Sequence, residues 1–111
     1  AGGFAVSPPL TRGRFLVGDA TGVDLYFVDQ WDTPKRIITM DSPKVAFTCD
    51  ALMVAAGIDR CVVMEQQQHS IVRVAESDWM MESAIQSVHA TNKPQSLACV
   101  SGGSVAIWKI R

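Results

Sequence analysis

Apolar residues along this chain occur in short runs of four to seven, separated by Gly, Pro, Asp, Asn or Ser. The runs are rich in Val, Ile, Phe and Ala. No stretch of eleven or more residues places apolar side chains at the i, i+3, i+4 spacing of an amphipathic helix with caps at both ends. Short apolar runs between turn residues are typical of strands. The pattern therefore predicts an all-β chain.

The runs recur in a fixed order with a period near forty residues. Three units share an apolar strand, a tight turn and a second apolar strand, and they cover residues 13–29, 51–65 and 96–110. Their turns open at Gly18, Gly57 and Gly102, which lie 39 and 45 positions apart. Further short apolar runs precede the units or lie between them, at residues 4–7, 35–40, 44–48, 70–75 and 85–89. Four antiparallel strands about every 40 residues make up one β-propeller blade, so the repeat predicts propeller blades.

Several of these strands are apolar at consecutive positions. The runs FLV (15–17), LMVAA (52–56) and VAIW (105–108) do not alternate with polar residues. A strand of this kind is typical of a sheet covered on both faces. We therefore expect the inner strands to be buried between neighbouring sheets.

The second unit, KVAFTCDALMVAAGIDRCVVME (44–65), resembles the WD-repeat family of β-propellers. The resemblance rests on a turn ending at Asp50, a strand like Leu-Ala-Ser-Gly, and a strand like Val-x-Val-Trp-Asp. The third unit places Trp108 where the family has its Trp, and Lys109 stands at the Asp position. In the first unit, Val28 and Asp29 occupy that dipeptide position. The resemblance implies four-stranded blades and a role in binding proteins.

Other family features are missing or displaced. The literal dipeptide Trp31-Asp32 falls in a connection between two predicted strands, where it is a chance match. His69 and His89 do not stand at the family's Gly-His position, so its Asp-His-Ser/Thr-Trp hydrogen-bond relay cannot be assembled. We therefore expect blades held together by strand pairing and burial more than by polar networks.

The predicted blades divide the chain into residues 1–41, 42–76 and 77–111, and the last lacks its outer strand. Three blades cannot close a ring, because propellers have about four to eight. Three blades alone would leave blade faces exposed and one strand edge unpaired. We expect these faces and this edge to be covered in one of three ways. The chain belongs to a larger propeller, copies of it close a ring, or another chain supplies the remaining blades.

Charge and cysteine content narrow the class of partner and the compartment. Ten basic and eleven acidic residues are scattered along the 111-residue chain, which makes a nucleic-acid partner unlikely. The longest strongly apolar stretch, residues 51–57, is far shorter than the roughly 20 residues that span a bilayer, and the sequence predicts no membrane partner. The three cysteines have no Cys-x-x-Cys spacing, which favours reduced thiols in an intracellular, cytoplasmic protein.

The search for catalytic motifs favours a protein that is not an enzyme and binds no cofactor or metal. No nucleotide-binding glycine loop and no Gly-x-Ser-x-Gly motif occurs. Cys49, Asp50 and His89 contain the groups of a nucleophilic triad, but nothing in their spacing requires them to meet. The glycines of SGG (101–103) are interpreted as a hairpin turn that needs positive φ angles.

The candidate contact residues lie in connections. Trp79, Met80 and Met81 stand between an outer strand and the next inner strand, and Trp31 lies in a loop on the opposite face. Trp and Met are enriched at protein interfaces, although the same residues could fold over the blade as local core. The favoured function is a protein–protein interaction scaffold within a larger intracellular complex. The alternative is a small oligomeric propeller that binds a sugar-like ligand between blades, and an enzyme on another β-rich fold comes third.

Overall fold

A computed structural model of the chain describes residues 3–8, 13–57, 60–68, 70–78 and 85–110. Eleven strands and one 3-10 turn (Val28–Gln30) occur within these residues. The strands are β1 (Phe4–Val6), β2 (Arg14–Gly18), β3 (Gly22–Phe27), β4 (Lys35–Thr39), β5 (Lys44–Phe47), β6 (Met53–Ala56), β7 (Arg60–Gln67), β8 (Ser70–Asp78), β9 (Ser87–Ala90), β10 (Ser96–Ser101) and β11 (Ser104–Lys109).

The strands form three antiparallel sheets in chain order. Sheet 1 contains β1 to β4, sheet 2 contains β5 to β8, and sheet 3 contains β9 to β11. Each strand pairs with the one that follows it within its sheet. The predicted all-β class, with antiparallel sheets of four, four and three strands, is confirmed. The described residues form no closed ring.

Each sheet has a hairpin between its second and third strands, and the closing residues of each hairpin are three positions apart in the chain. The amide of Asp19 donates to the carbonyl of Gly22, and the amide of Gly57 donates to that of Arg60. In sheet 3 the equivalent closing pair is Ser101 with Ser104. Between them Gly102 and Gly103 have φ angles of 53° and 83°, which are favourable for glycine. The hairpin predicted at residues 101–103 is therefore confirmed.

These closing pairs define which residues of the three sheets are equivalent. The second and third strands align as residues 15–18 with 53–56 and 97–100, and as residues 23–26 with 61–64 and 105–108. Tyr26, Met64 and Trp108 are therefore equivalent, whereas the glycine spacing had aligned Val28 with them. The difference arises because Gly18 ends a strand, Gly57 belongs to a closing pair, and Gly102 lies in the turn itself.

Sheet 2 lies between the other two sheets. Its face toward sheet 1 packs in a core that contains Leu16, Val23, Leu25, Ile38, Met40, Val45, Phe47, Met53, Ala55, Val62 and Met64. Its other face packs in a second core that contains Ala46, Leu52, Val54, Ala56, Cys61, Val63, Ile85, Val88, Leu97 and Cys99. Successive residues of β6 enter different cores because successive side chains of a strand point to opposite faces.

Burial on both faces holds only for the middle sheet. All four residues of β6 are buried, as expected for the run 52–56. The same expectation is wrong for β11, in which Ser104 to Ile107 are exposed. It is also wrong for β2, where Leu16 is buried while Phe15 and Val17 are partly exposed. The reason is the position of each sheet, since no described sheet covers the outer faces of sheets 1 and 3.

Candidate functional site

Trp79, Met80 and Met81, the principal predicted contact residues, lie outside the described residues. Their position in the chain is between β8, which ends at Asp78, and β9, which begins at Ser87. Their role in binding stays a prediction.

Trp31 is displayed on the surface at the connection between β3 and β4. Its exposed fraction is 69%, and the neighbouring apolar side chain of Val28 is 60% exposed. The 3-10 turn Val28–Gln30 ends beside it, and the amide of Thr33 donates a 3.1 Å hydrogen bond to the carbonyl of Gln30. The interpretation of Trp31-Asp32 as part of a connection is confirmed. The turn therefore exposes two large apolar side chains, Val28 and Trp31, that are close together in the sequence.

Strand directions put the Trp31 connection and the β8–β9 connection at opposite ends of the strands. Within each antiparallel sheet the first and third strands run one way, and the second and fourth run the other. Trp31 follows a third strand, whereas the β8–β9 connection follows a fourth strand. The β3–β4 connection that contains Trp31 and the end of β8 therefore lie at opposite ends of the strands.

A shallow groove of about 370 Å³ follows the first strands of the three sheets. Strand β5 contacts both β1 and β9, so the three strands lie side by side. The groove is lined by Phe4, Ala5, Val6, Val45, Ala46, Phe47, Val88, His89 and Ala90. His89 supplies the single titratable side chain of this lining, and its Nε2 lies 2.8 Å from Ser87 Oγ. The described side chains of the lining are apolar apart from His89, but the accessible lining as a whole is more polar than apolar. A single imidazole does not supply the convergent polar groups that acid–base chemistry uses.

Sequence reasoning missed this groove. Its signal is present, because a short apolar run precedes each repeat unit. These apolar runs predict the first strand of each sheet, but they do not predict that the three first strands lie side by side.

Asp50 links sheet 2 to the turn between β9 and β10. Its Oδ1 accepts a 2.6 Å hydrogen bond from Thr48 Oγ1 and a 3.0 Å hydrogen bond from the amide of Gln95. Thr48 is completely buried, and its Oγ1 accepts from the amide of Leu52 at 2.9 Å. These contacts give Asp50 a structural role between two sheets. They do not join it to Cys49 and His89 as a nucleophilic triad.

Asp50→Ala is expected to lower the free energy of unfolding by about 1–3 kcal/mol, because it leaves the Gln95 amide and the Thr48 hydroxyl without this acceptor. Urea unfolding followed by circular dichroism measures the change. Asp50→Asn keeps an acceptor oxygen and should lose less stability. The control is Asp32→Ala at an exposed position, which should change the free energy by less than about 0.5 kcal/mol. An Asp50→Ala variant as stable as this control would contradict the assigned role.

The three cysteines are free thiols in two environments. Cys61 and Cys99 are buried in the core between sheets 2 and 3, while Cys49 is half-buried. Burial raises the pKa of the Cys61 thiol strongly, and the neighbouring Cys99 raises it further. Burial also raises the pKa of Cys99. Because the thiolate is the reactive form, both buried thiols are protected.

We expect a chromogenic disulfide reagent at pH 8 to modify Cys49 in the folded protein, and Cys61 and Cys99 only after denaturation. The reaction is followed by absorbance with and without urea. Cys49→Ser should remove the rapid phase and leave the two slow thiols unchanged. Rapid reaction of all three thiols in the native protein would show that the core between sheets 2 and 3 is open.

Two apolar faces lie at the ends of the stack. On the outer face of sheet 1, the rings of Phe4 and Phe15 are 5.4 Å apart, and those of Phe15 and Tyr26 are stacked at 4.8 Å. On the outer face of sheet 3, Val105 and Ile107 are 66% and 61% exposed. Both faces match the exposed faces expected for an open array of sheets.

Two searches of the described residues are negative. They contain no group of three or more His, Cys, Asp or Glu side chains that could hold a metal ion. They also contain no helix that has the length and apolar character to cross a membrane.

No family model matches the chain, and no curated protein matches it in sequence. The function proposed below accordingly rests on the arrangement of the sheets and on their exposed side chains.

Proposed function

We infer that the chain is a WD-repeat-like propeller segment that serves as a protein–protein interaction scaffold within a larger intracellular complex. The observation that carries this proposal is the face-to-face stacking of three antiparallel sheets with their first strands side by side. Blades of a propeller are antiparallel four-stranded sheets arranged around a centre, and the groove along β1, β5 and β9 would face that centre. The equivalent hairpins of the three sheets further support a repeated unit.

The connections at the strand ends supply the proposed binding residues. Trp31 and Val28 are exposed at one end of the strands, and Trp79, Met80 and Met81 follow β8 in the chain. Interface residues whose truncation costs about 2 kcal/mol or more are enriched in Trp. We assign the first partner-binding surface to Trp31 and Val28, because their exposure is directly described.

Sugar binding between sheets is the weaker alternative. A ligand held in the same way by each repeat would need exposed aromatic or polar side chains at equivalent positions. The equivalent residues Tyr26, Met64 and Trp108 differ in chemistry, and Met64 is only 3% exposed. No described feature favours a repeated ligand site.

A photoreactive phenylalanine analogue placed at position 31 tests the proposed contact surface in cells of the source organism. We expect one predominant covalent adduct with another protein, and the added Val28→Asp substitution should abolish it. The matched control carries the analogue at position 93, an exposed site in the β9–β10 turn at the same end of the strands. A third variant carries it at position 79.

The captured partner is then purified and its affinity is measured directly. Trp31→Ala should weaken binding by roughly 30-fold, the equivalent of about 2 kcal/mol. Absence of adducts at positions 31 and 79, or the same adducts at position 93, would contradict the scaffold function.

A further inference from the structure

The outer faces of sheets 1 and 3 are apolar but uncovered by any described residue. On sheet 1, Phe4 and Val6 are 63% and 68% exposed beside the stacked rings of Phe15 and Tyr26. On sheet 3, Val105 and Ile107 are exposed to a similar extent. Contiguous exposed apolar patches of this kind commonly mark interaction sites.

Strand register makes the sheet 3 face equivalent to faces that are buried elsewhere in the chain. Ile107 is equivalent to Leu25 and to Val63. Leu25 is fully buried in the core between sheets 1 and 2, and Val63 is fully buried in the core between sheets 2 and 3. The exposed face of sheet 3 is thus the face that covers the following sheet at both internal interfaces.

The sheet 1 face is the complementary half of the same kind of interface. Tyr26 is equivalent to Met64, which packs toward the preceding sheet. Phe4 is likewise equivalent to Val45, since each pairs with equivalent residues of the second strand, Val17 and Ala55. One chain therefore carries both halves of a third sheet-to-sheet interface, and they lie at opposite ends of its stack.

We propose that two copies of this chain associate head to tail, so that the outer face of sheet 3 in each copy packs against the outer face of sheet 1 in the other. This inference rests on the propeller-like stacking of the proposed function and goes beyond it by naming a second copy of the chain as the occupant of the two faces. Each contact joins different patches of the two copies, and a two-fold axis relates the two contacts, so the assembly closes at two copies. Two copies bring six sheets together, within the range of about four to eight that closes a propeller ring, whereas three copies would exceed it.

Side-chain shape supports this pairing over contact of either face with itself. At the interface inside the chain, an aromatic ring and two unbranched side chains of sheet 2, Phe47, Met53 and Met64, share a core with branched aliphatic residues of sheet 1 such as Leu25. The two outer faces differ in a similar way, because sheet 1 presents three rings and sheet 3 presents Val105 and Ile107. Side chains of different shape allow the layers to interdigitate.

Charges on the sheet 1 face are already paired. Arg36 Nε donates to Asp24 Oδ1 at 2.7 Å, and Arg36 Nη2 lies 3.0 Å from Asp19 Oδ2. The net charge of the whole chain is −1, so repulsion between copies is small. Association therefore requires no unpaired arginine to be buried.

Sedimentation equilibrium of the 111-residue chain tests the proposal. The wild-type protein should sediment at about 24 kDa, twice the 12.0 kDa of one chain. Phe4→Lys and Ile107→Glu each alter one face at an exposed position and should each give a folded 12 kDa monomer. An equimolar mixture of these two variants should recover the dimer, because one interface is intact and the other places opposite charges together.

Val72→Glu is the matched control, since it adds a charge at a 37% exposed valine on β8 of the middle sheet, away from both faces, and should remain dimeric. Circular dichroism checks that the variants are folded, and Val6→Lys with Val105→Glu provides a second pair. A wild-type monomer, as expected if another protein covers these faces, overturns the proposal. So does an assembly larger than two copies, a dimer dissociated by only one of the two variants, or a mixture that stays monomeric. Covalent capture of a partner at position 31 is a separate measurement, and its result does not depend on the sedimentation mass.

Discussion

Val63→Asp is expected to leave the chain unfolded at 25 °C. Val63 is completely buried in the core between sheets 2 and 3, on the third strand of the middle sheet. A carboxylate at this site would lose its hydration without gaining a compensating charged or hydrogen-bonding partner. Burying an ion in this way costs several kcal/mol in proteins. The total stability of a domain is about 5–15 kcal/mol. The far-ultraviolet circular dichroism spectrum should therefore lose its β-sheet signal.

Ile107→Asp is the matched control, because position 107 is equivalent to position 63 on the third strand of sheet 3. Its side chain is 61% exposed within one chain, so the carboxylate remains hydrated. This variant should keep its β-sheet spectrum while it loses the dimer. If both variants were folded, or both were unfolded, the assignment of sheet 2 to the middle of the stack would be wrong.

Leu97→Ala is expected to reduce the free energy of unfolding by about 2–5 kcal/mol. Leu97 is completely buried at the start of β10, where it shares a core with Leu52 and Val88. Truncation removes the apolar contact and leaves a cavity that the two sheets can close only in part. Urea unfolding at a fixed protein concentration measures the loss, because association makes apparent stability depend on concentration.

Val28→Ala controls for the loss of an aliphatic side chain at an exposed position and should change the free energy by less than about 0.5 kcal/mol. Leu16→Ala provides the corresponding test in the core between sheets 1 and 2, since Leu16 is also completely buried. A Leu97→Ala variant as stable as Val28→Ala would show that sheets 2 and 3 do not pack as described.

Hairpins and strand order were predictable because local chemistry determines them. Glycines such as Gly102 permit the positive φ angles of a tight turn, and apolar runs on either side form the paired strands. The alignment of repeats was less predictable. Three glycines at similar spacing occupy three different places relative to their hairpins, so only strand pairing shows that Tyr26, and not Val28, matches Trp108.

Burial of the outer sheets was not predictable, because composition does not say whether a neighbouring sheet exists. The runs at β6 and β11 are similarly apolar, yet β6 is buried on both faces and β11 is exposed. Burial of β6 comes from the sheets on either side of it. The exposed apolar residues of β11 are the ones assigned here to association between copies.

The candidate site was predictable in part. An isolated Trp in a connection indicates an exposed anchor, and Trp31 is 69% exposed. The groove depends on contacts between β1, β5 and β9, which are about 40 residues apart in the chain, and no local pattern encodes such contacts.

The central claim is that sheet 2 separates sheet 1 from sheet 3. Methyl-to-methyl nuclear Overhauser spectroscopy on protein labelled at Ile, Leu and Val tests it most directly. We predict cross-peaks that connect Val62 with residues of sheet 1 such as Leu25, and Val63 with residues of sheet 3 such as Leu97. Cross-peaks between Leu25 and Leu97, or contacts of Val62 and Val63 with the same sheet, would contradict this stacking order.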